Sequence, residues 1–411
     1  MSIFGFTSPT LIDLEKRGFL YQVTDSKGLD QLFQDISNVI FYIGYDPTAR
    51  SLHAGHLLWI KFVEKLQKAG AKPIILTGGA TSKIGDPTWK DKERVALDPE
   101  TVLENSTAIE QRLRSFVKFG DAHCEATLLN NNDWISRINY MDFLRDFGPL
   151  FSVNKMLTMD SVSARLERQQ HLSFLEFNYM LLQAYDFLHL FVNYGCNLQI
   201  GGADQWSNMI SGVDLVRRRA GKLAFGVSMP LLTNSSGQKM GKTESGTIWL
   251  DEELTSPFEF WQYWRNVDDR DVTKLLKIFS DIDIAKVETY DSFIGMKKMN
   301  DLKIILADTL TKFVHPTADL LSIRETTRGL FDRQKCNMND IKTFDIDVNT
   351  RIDRVLFTTK LAPSLTAARR LIDGKGVKID DEVVTACDST IVDDCLISVG
   401  RKKFIKIKVK D

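Results

Sequence analysis

A chain of 411 residues that is 43% hydrophobic and 26% charged is too long for one core, and its composition excludes bulk disorder; two to three globular domains are expected. A net charge of −1 excludes a protein coated in basic residues, so any nucleic-acid surface must be local. Cys124, Cys196, Cys336, Cys387 and Cys395 lack Cys-x-x-Cys spacing, which argues against a zinc site or a disulfide framework. No signal-like N-terminus and no apolar run of about 18 residues is present, so a cytoplasmic chain with no membrane segment is expected.

In chain order, Ser8 to Gly18 reads as a short helix. Val39 to Tyr45 is apolar and rich in β-branched and aromatic residues, as a buried parallel strand should be, and Asp46-Pro47-Thr48 ends it with turn chemistry. Leu58, Trp59, Phe62, Val63 and Leu66 then recur at helical spacing up to Gly70, a natural C-terminal stop. His53 and His56 share a face of that helix's first turn, with Gly55 leaving the backbone open between them. Helix N-termini attract anions, so the stretch outlines a phosphate site, although the same spacing also suits a helix cap and a surface histidine. Lys72 to Gly79 is a second buried strand, which completes a right-handed βαβ unit with its ligand crevice at the carboxyl ends of the strands. Asp86 falls in that crevice, and Lys90 and Arg94 follow at i, i+4.

Asp98-Pro99 caps another helix, and Ala126 to Asn130 is a short strand. Asp133 to about Leu166 is helical and aromatic, a candidate oligomer surface inserted into the sheet. Ser173-Phe174-Leu175-Glu176 is a capping box, after which Tyr179, Gln183 and Asp186 fall on one face of an otherwise apolar helix. A buried carboxylate there must be paired; two of these groups can satisfy each other, but three converging on one face call for a polar ligand. Gln199-Ile200-Gly201-Gly202-Ala203-Asp204-Gln205 is a further strand-to-helix junction. Its glycines permit close backbone approach, and Asp204 is a frequent type of partner for ribose hydroxyls. Lys239-Met240-Gly241-Lys242-Thr243 forms a loop after the apolar run Val227 to Leu232.

Asp251 to about Arg333 reads as helical. The last segment, Arg351 to Asp411, carries 13 Lys/Arg against 9 Asp/Glu, hence +4, leaving −5 for the rest of the chain. The expected fold is α/β: a Rossmann-like doubly wound parallel sheet over 1–230 with a helical insertion at about 125–165. The lysine loop and an α-helical domain follow over 231–335, then a linker at 336–350 and a small α+β domain over 351–411 whose clustered basic residues suit phosphate contacts.

Together the His53-Ala54-Gly55-His56 element and the Lys239 to Thr243 loop resemble the two signatures of class I aminoacyl-tRNA synthetases. The surrounding residues resemble the bacterial-type tyrosyl-tRNA synthetases in particular. Ala54 stands where isoleucine is usual, and Gly241 and Thr243 where serines are common. The stretch from Arg351-Ile352-Asp353 through Ser364 to Ile379 resembles a small RNA-binding domain shared by a ribosomal protein and pseudouridine synthases.

The resemblance implies ATP-dependent activation of L-tyrosine, transfer to the terminal adenosine of tRNA(Tyr), Mg²⁺ bound through the ATP phosphates, and a homodimer formed through the insertion. It implies no DNA or membrane partner. By it, Thr48, His53, His56, Lys239, Lys242 and Thr243 carry the chemistry. Asp86, Tyr179 and Gln183 take the substrate ammonium, Tyr42 and Asp186 the phenolic hydroxyl, and Gln205 lies near the reacting carboxyl. Gly44, Asp46, Gly55, Lys90, Arg94, Gly202, Asp204 and Lys242 bind ATP, and Arg354, Arg369, Arg370, Lys375 and Lys378 bind RNA. Ile43 replaces a cysteine that in many members bonds a ribose hydroxyl. Phenylalanine in such a pocket would leave the Asp186 charge uncompensated. The competing class, an RNA-binding protein that has lost the activity, should show erosion at His53, His56, Lys239 or Lys242, and none is eroded; tryptophan as substrate is disfavoured by Tyr42 and Asp186.

Overall fold

The computed structural model describes residues 2–86, 98–243, 246–332, 341–380, 382–400 and 403–410, with Lys242 and Thr243 described as backbone only. Lys90 and Arg94 lie outside the described residues. The chain forms two compact units, Met1–Gly237 with Thr273–Asp291, and Gln238–Val272 with Ser292–Asp411.

The first unit is built on a six-stranded sheet. After helix α1 (Pro9–Arg17), strand β1 (Gln22–Val23) and helix α2 (Ser26–Leu32) come β2 (Ile40–Tyr45), α3 (Leu57–Ala69) and β3 (Lys72–Thr77). Helix α4 (Pro99–Leu113) leads to β4 (Thr127–Asn130), and four short helices, α5 (Asn132–Ile135), α6 (Tyr140–Phe147), α7 (Val153–Leu157) and α8 (Asp160–Glu167), precede the long α9 (Phe174–Tyr194). Strand β5 (Leu198–Gly202), helix α10 (Trp206–Ala220) and β6 (Phe225–Met229) close the set. The strand order is β1-β6-β5-β2-β3-β4, parallel throughout except for the antiparallel edge strand β1.

From β2 the chain steps outward through β3 to β4, then returns to lay β5 and β6 on the other side of β2. The order therefore reverses between β2 and β5, and the carboxyl ends of these two strands open the crevice where such sheets bind ligands. The local signals behave as their chemistry requires. Gly70 ends α3 with φ 111°, a left-handed conformation that disfavours other residues, and Ser173 and Glu176 cap α9 reciprocally.

The segment Thr273–Asp291 was expected inside the helical domain but belongs to the first unit. The buried Arg17 guanidinium on α1 donates to the carbonyls of Lys277 and Ser280, at 2.9 and 3.0 Å, and thereby satisfies the end of a helix from far along the chain.

The second unit contains a short hairpin, β7 (Lys242–Thr243) and β8 (Gly246–Thr247), then α11 (Pro257–Arg265) and the start of α12 (Asp269–Phe279), whose end lies in the first unit together with α13 (Ile284–Glu288). Helices α14 (Lys297–Val314) and α15 (Leu320–Asp332) follow, and α11 packs on α14, with Trp261 Nε1 donating to Asp308 at 2.8 Å. The C-terminal part holds β9 (Thr343–Asp347), β10 (Thr350–Arg351), α16 (Ile352–Thr358), α17 (Leu365–Asp373), β11 (Val377–Ile379), β12 (Glu382–Val383), β13 (Thr390–Ile391), β14 (Cys395–Val399) and β15 (Lys403–Lys410).

One expectation is corrected here. The sequence pattern predicts a linker over 336–350, yet β9 pairs in parallel with β15 at the edge of a sheet ordered β12-β11-β14-β15-β9. Phe344 and Ile346 alternate inward onto the core formed by Ile352, Leu356, Ile397 and Ile407, so burial of one face makes a strand of a largely polar segment.

Candidate active site

A cavity of about 230 Å³ opens at the switch point. Of the residues singled out from the sequence, Tyr42, Gly44, Asp46, Thr48, His56, Asp86, Tyr179, Gln183, Asp186, Gly202, Asp204 and Gln205 line it. Tyr45, Trp59, Thr81, Asn131 and Gln199 line it too, and no motif had marked them as site residues.

One end is set by α9. Asp186 is 2% exposed and is not alone: its Oδ2 accepts from Asn131 Nδ2 at 2.9 Å and its Oδ1 from Trp134 Nε1 at 2.7 Å. This corrects the expectation that its charge is uncompensated. Both partners are neutral donors, and they do not cancel the cost of burial, which pushes the carboxyl up to about 7 with Asp46 adding to the rise. Asn131 is held in turn, accepting from Ala80 N at 2.8 Å and donating to Thr81 Oγ1 at 3.0 Å. Tyr42, packed against Phe187 on α9 with ring centroids 5.4 Å apart, has its phenol pushed well above its ordinary value by burial and by Asp186. Its hydroxyl is sealed from water and has no hydrogen-bond partner among the described residues. A buried hydroxyl beside a half-satisfied carboxylate suits one further polar group.

Farther along, a chain of amides links the expected ammonium residues. Gln205 Nε2 donates to Asp86 Oδ2 at 2.6 Å, and Asn208 Nδ2 donates to Gln183 Oε1 at 3.1 Å and to Gln205 Oε1 at 3.2 Å. Asn208, buried on α10, escaped notice because it belongs to no motif; its spacing of three from Gln205 on a helix start is the signal that could have found it.

The other end is built from the turn after β2, the start of α3 and the end of β5. His53 caps the 3-10 turn Ala54–His56: its Nδ1 accepts from Gly55 N at 3.1 Å, and His56 Nδ1 accepts from His53 N at 3.0 Å. With its Nδ1 accepting, His53 carries a proton on Nε2, while His56 Nδ1 lies 3.0 Å from His53 N and 3.3 Å from the His53 carbonyl; the two rings lie 4.0 Å apart. His56 lines the cavity, whereas His53 and Gly55 are not among its lining residues. At Gly78 a Cβ would lie 2.5 Å from Asp46 Oδ1 and 2.7 Å from Thr81 Oγ1, so a larger residue would displace those two side chains.

In the second unit, Lys239 is exposed and the loop is anchored by the buried Met240 and by Gly241, whose N–H donates to Tyr263 Oη at 3.0 Å. Lys242 and Thr243 form β7 against Thr247 and Gly246. Among the expected RNA contacts, Arg354, Arg370 and Lys375 are exposed and Lys378 lies half-buried on β11. Arg369 is exposed, but its Nε donates to Asp353 Oδ2 at 2.9 Å.

A switch-point cavity with a histidine-capped helix start defines the plan of a class I aminoacyl-tRNA synthetase, and residues 35–332 match the family described as tRNA synthetases class I (W and Y), with residues 350–386 matching the S4 domain. Over 406 residues the chain is 44% identical to the tyrosine–tRNA ligase of Wolbachia sp. subsp. Drosophila simulans (strain wRi), covering 96% of this chain and 97% of that one. Over 404 residues it is 43% identical to that of Rickettsia rickettsii (strain Sheila Smith), covering 96% and 98%. A C-terminally truncated mitochondrial tyrosyl-tRNA synthetase of Aspergillus nidulans aligns with a TM-score of 0.70 at 29% identity, over 78% of this chain and 94% of that one. The chain belongs to the bacterial-type tyrosyl-tRNA synthetases.

Proposed function

We propose that the cavity divides the family's reaction, ATP-dependent attachment of tyrosine to tRNA(Tyr), along its length. Tyr42 and Asp186 take the phenolic hydroxyl, while Asp86, Tyr179 and Gln183 take the ammonium and Gln205 steadies the carboxylate. Gly44, Asp46, Gly202 and Asp204 face the nucleotide. The observation that carries this reading is the pairing, at one end of a single cavity, of an orphaned buried phenol with a carboxylate held only by neutral donors.

The tyrosine carboxylate attacks the α-phosphorus in line and pyrophosphate leaves; the terminal adenosine hydroxyl of tRNA then attacks the acyl carbon and AMP leaves. No side chain needs to act as nucleophile, so catalysis is charge stabilisation. Thr48, His53, Lys239, Lys242 and Thr243 act on the β,γ-phosphates, with His56, Lys90 and Arg94 assigned near them. Mg²⁺ bound through the ATP phosphates would supply neutralisation of their charge.

A homodimer is supported by exposed apolar side chains on the insertion and the start of α9, including Met141 (71%), Val153 and Phe174 (70%). A cytoplasmic setting is part of the same proposal; no helix among the described residues is long and apolar enough to cross a membrane.

ATP–pyrophosphate exchange over the twenty amino acids tests the reading, with tyrosine the substrate expected. Lys239→Ala and Lys242→Ala should lower the single-turnover adenylation rate, and unchanged rates would remove the loop from the chemistry. Removing residues 341–411 should spare adenylate formation and abolish tRNA charging. A cut at Arg351 would instead strand β9 without its sheet.

A further inference from the structure

Strand β2 sends its side chains alternately to the two faces of the sheet. Tyr42 points to α9, where it meets Phe187, while Tyr45 points to α3, where its ring lies against Trp59 with centroids 6.5 Å apart. The two phenols thus line one cavity from opposite faces of the sheet. Tyr42 serves the amino-acid end; Tyr45 has no assigned task.

Tyr45 is 3% exposed, lines the cavity, and its hydroxyl is sealed from water with no hydrogen-bond partner among the described residues. Burying a hydroxyl without a partner is costly, and such a group persists where a ligand completes it. Its surroundings say which ligand. Trp59 stands edge-on to the His56 ring at 5.5 Å and closes on Gly202, where a Cβ would lie 3.2 Å from the indole Cζ2. Tyr45, His56, Trp59 and Gly202 therefore form an aromatic corner at the end assigned above to the nucleotide. On the same face of β2, two residues back, Ile43 has only an apolar side chain to offer.

We propose that the Tyr45 hydroxyl is a nucleotide contact, completing its hydrogen bond on the adenosine part of ATP, with Trp59 fixing the ring that carries it. The proposal rests on the nucleotide assignment above. It adds a determinant of ATP affinity that sits on a strand, where the rigid sheet positions it before the ligand arrives.

The test is Tyr45→Phe in the full-length protein, read by ATP–pyrophosphate exchange and by thermal unfolding without ligand. The KM for ATP should rise about 3- to 10-fold with the KM for tyrosine unchanged, while the melting temperature of the unliganded protein holds or rises because an orphan is removed. Arms with 2′-deoxyATP, 3′-deoxyATP and 7-deaza-ATP identify the atom. The analogue lacking it should bind the parent more weakly and bind the variant no worse than ATP does. An unchanged KM for ATP, an equal rise for tyrosine, or a melting temperature lowered by several degrees would each overturn the proposal. Absence of exchange by the parent protein would overturn the nucleotide assignment itself, and the proposal with it.

Discussion

Asp186 in the first unit and Asp353 in the second are closed off from water to nearly the same degree, 2% and 1% exposed, yet their carboxyls are shifted in opposite directions. Asp186 receives one hydrogen bond from an amide and one from an indole, and burial pushes it up to about 7. Asp353 is also pulled up by burial, but Arg369 at 2.9 Å and Arg351 at 2.9 Å outweigh that and hold it below the ordinary carboxylate range. The difference lies in the partners. Cations finish a buried charge and make it part of the scaffold, joining the start of α16 to α17. Neutral donors leave a buried charge that still gains from another donor, and a tyrosine hydroxyl is such a donor. A site built around a hydroxyl rejects the analogue lacking it, a rule for which tyrosyl-tRNA synthetases are themselves a known example.

Asp186→Asn should break the first half of this comparison with the largest effect. An amide offers a single acceptor oxygen to two donors and turns an NH₂ toward one of them, so kcat/KM for tyrosine should fall about 100-fold while phenylalanine loses far less. The pH dependence fixes the sign. A folded value of about 7 lies above the ordinary carboxylate value of 3.8, so the folded protein holds a proton that the unfolded chain releases. That contribution to stability is complete below about pH 4 and is lost as pH rises through about 7. Recognition runs the other way, since the carboxylate is the better acceptor and kcat/KM for tyrosine should rise through the same window. A pH profile in the parent protein that is flat from 5 to 9 would count against the assignment.

Asp353→Asn should break the second half, and through stability. Two guanidinium groups would lose their shared carboxylate, at a cost of about 2–3 kcal/mol, below the range for a fully buried pair because both arginines are partly exposed. Denaturant unfolding should show the loss, tRNA charging should weaken, and pyrophosphate exchange should not change. The sign is opposite to that of Asp186: a lowered value contributes stability above the ordinary carboxylate range that disappears as the pH falls below it. Loss of pyrophosphate exchange in this variant would mean that the two carboxylates do not serve separate steps.

What the sequence could and could not tell follows from the range of each interaction. Strands β2, β3 and β5 and helices α3 and α9 were legible because their patterns repeat within a few residues and their ends carry caps. Most of the cavity was legible because its motifs sit at strand-to-helix junctions. The partners of Asp186 were not, since Asn131 and Trp134 precede it by 55 and 52 residues and carry no periodic signal. Their position after β4, at the carboxyl end of a parallel strand, was the available clue. Strand β9 was missed because five alternating residues in polar sequence become a strand only when β15 pairs with them. The attachment of 273–291 was missed because it depends on Arg17, some 260 residues away.

Trp134→Phe sharpens the comparison at smaller cost, because it removes one neutral donor and leaves the carboxylate in place. Asp186 should move still higher, and the midpoint of the tyrosine kcat/KM profile should shift to more alkaline pH. At pH 7 the loss should be about 5- to 10-fold, shrinking as the pH is raised and the carboxylate form is restored. The ring itself is buried and stacked on His189 at 4.3 Å, and phenylalanine keeps part of that contact. A loss that is constant with pH would assign Trp134 to packing alone.

Tyr42→Phe should have the smallest effect, and its direction is informative. The hydroxyl has no partner among the described residues, so the unliganded protein loses no hydrogen bond and its melting temperature should hold or rise slightly. Any penalty must then appear only with tyrosine bound, as one neutral hydrogen bond of roughly 0.5–1.5 kcal/mol, or about a 3- to 10-fold rise in KM for tyrosine. Phenylalanine, which has no hydroxyl to offer, should not notice the change. Discrimination therefore relaxes modestly, and most of it remains with Asp186. A Tyr42→Phe protein that loses as much selectivity as Asp186→Asn would show that the phenol carries the recognition, and the contrast between neutral and cationic partners would lose its functional meaning.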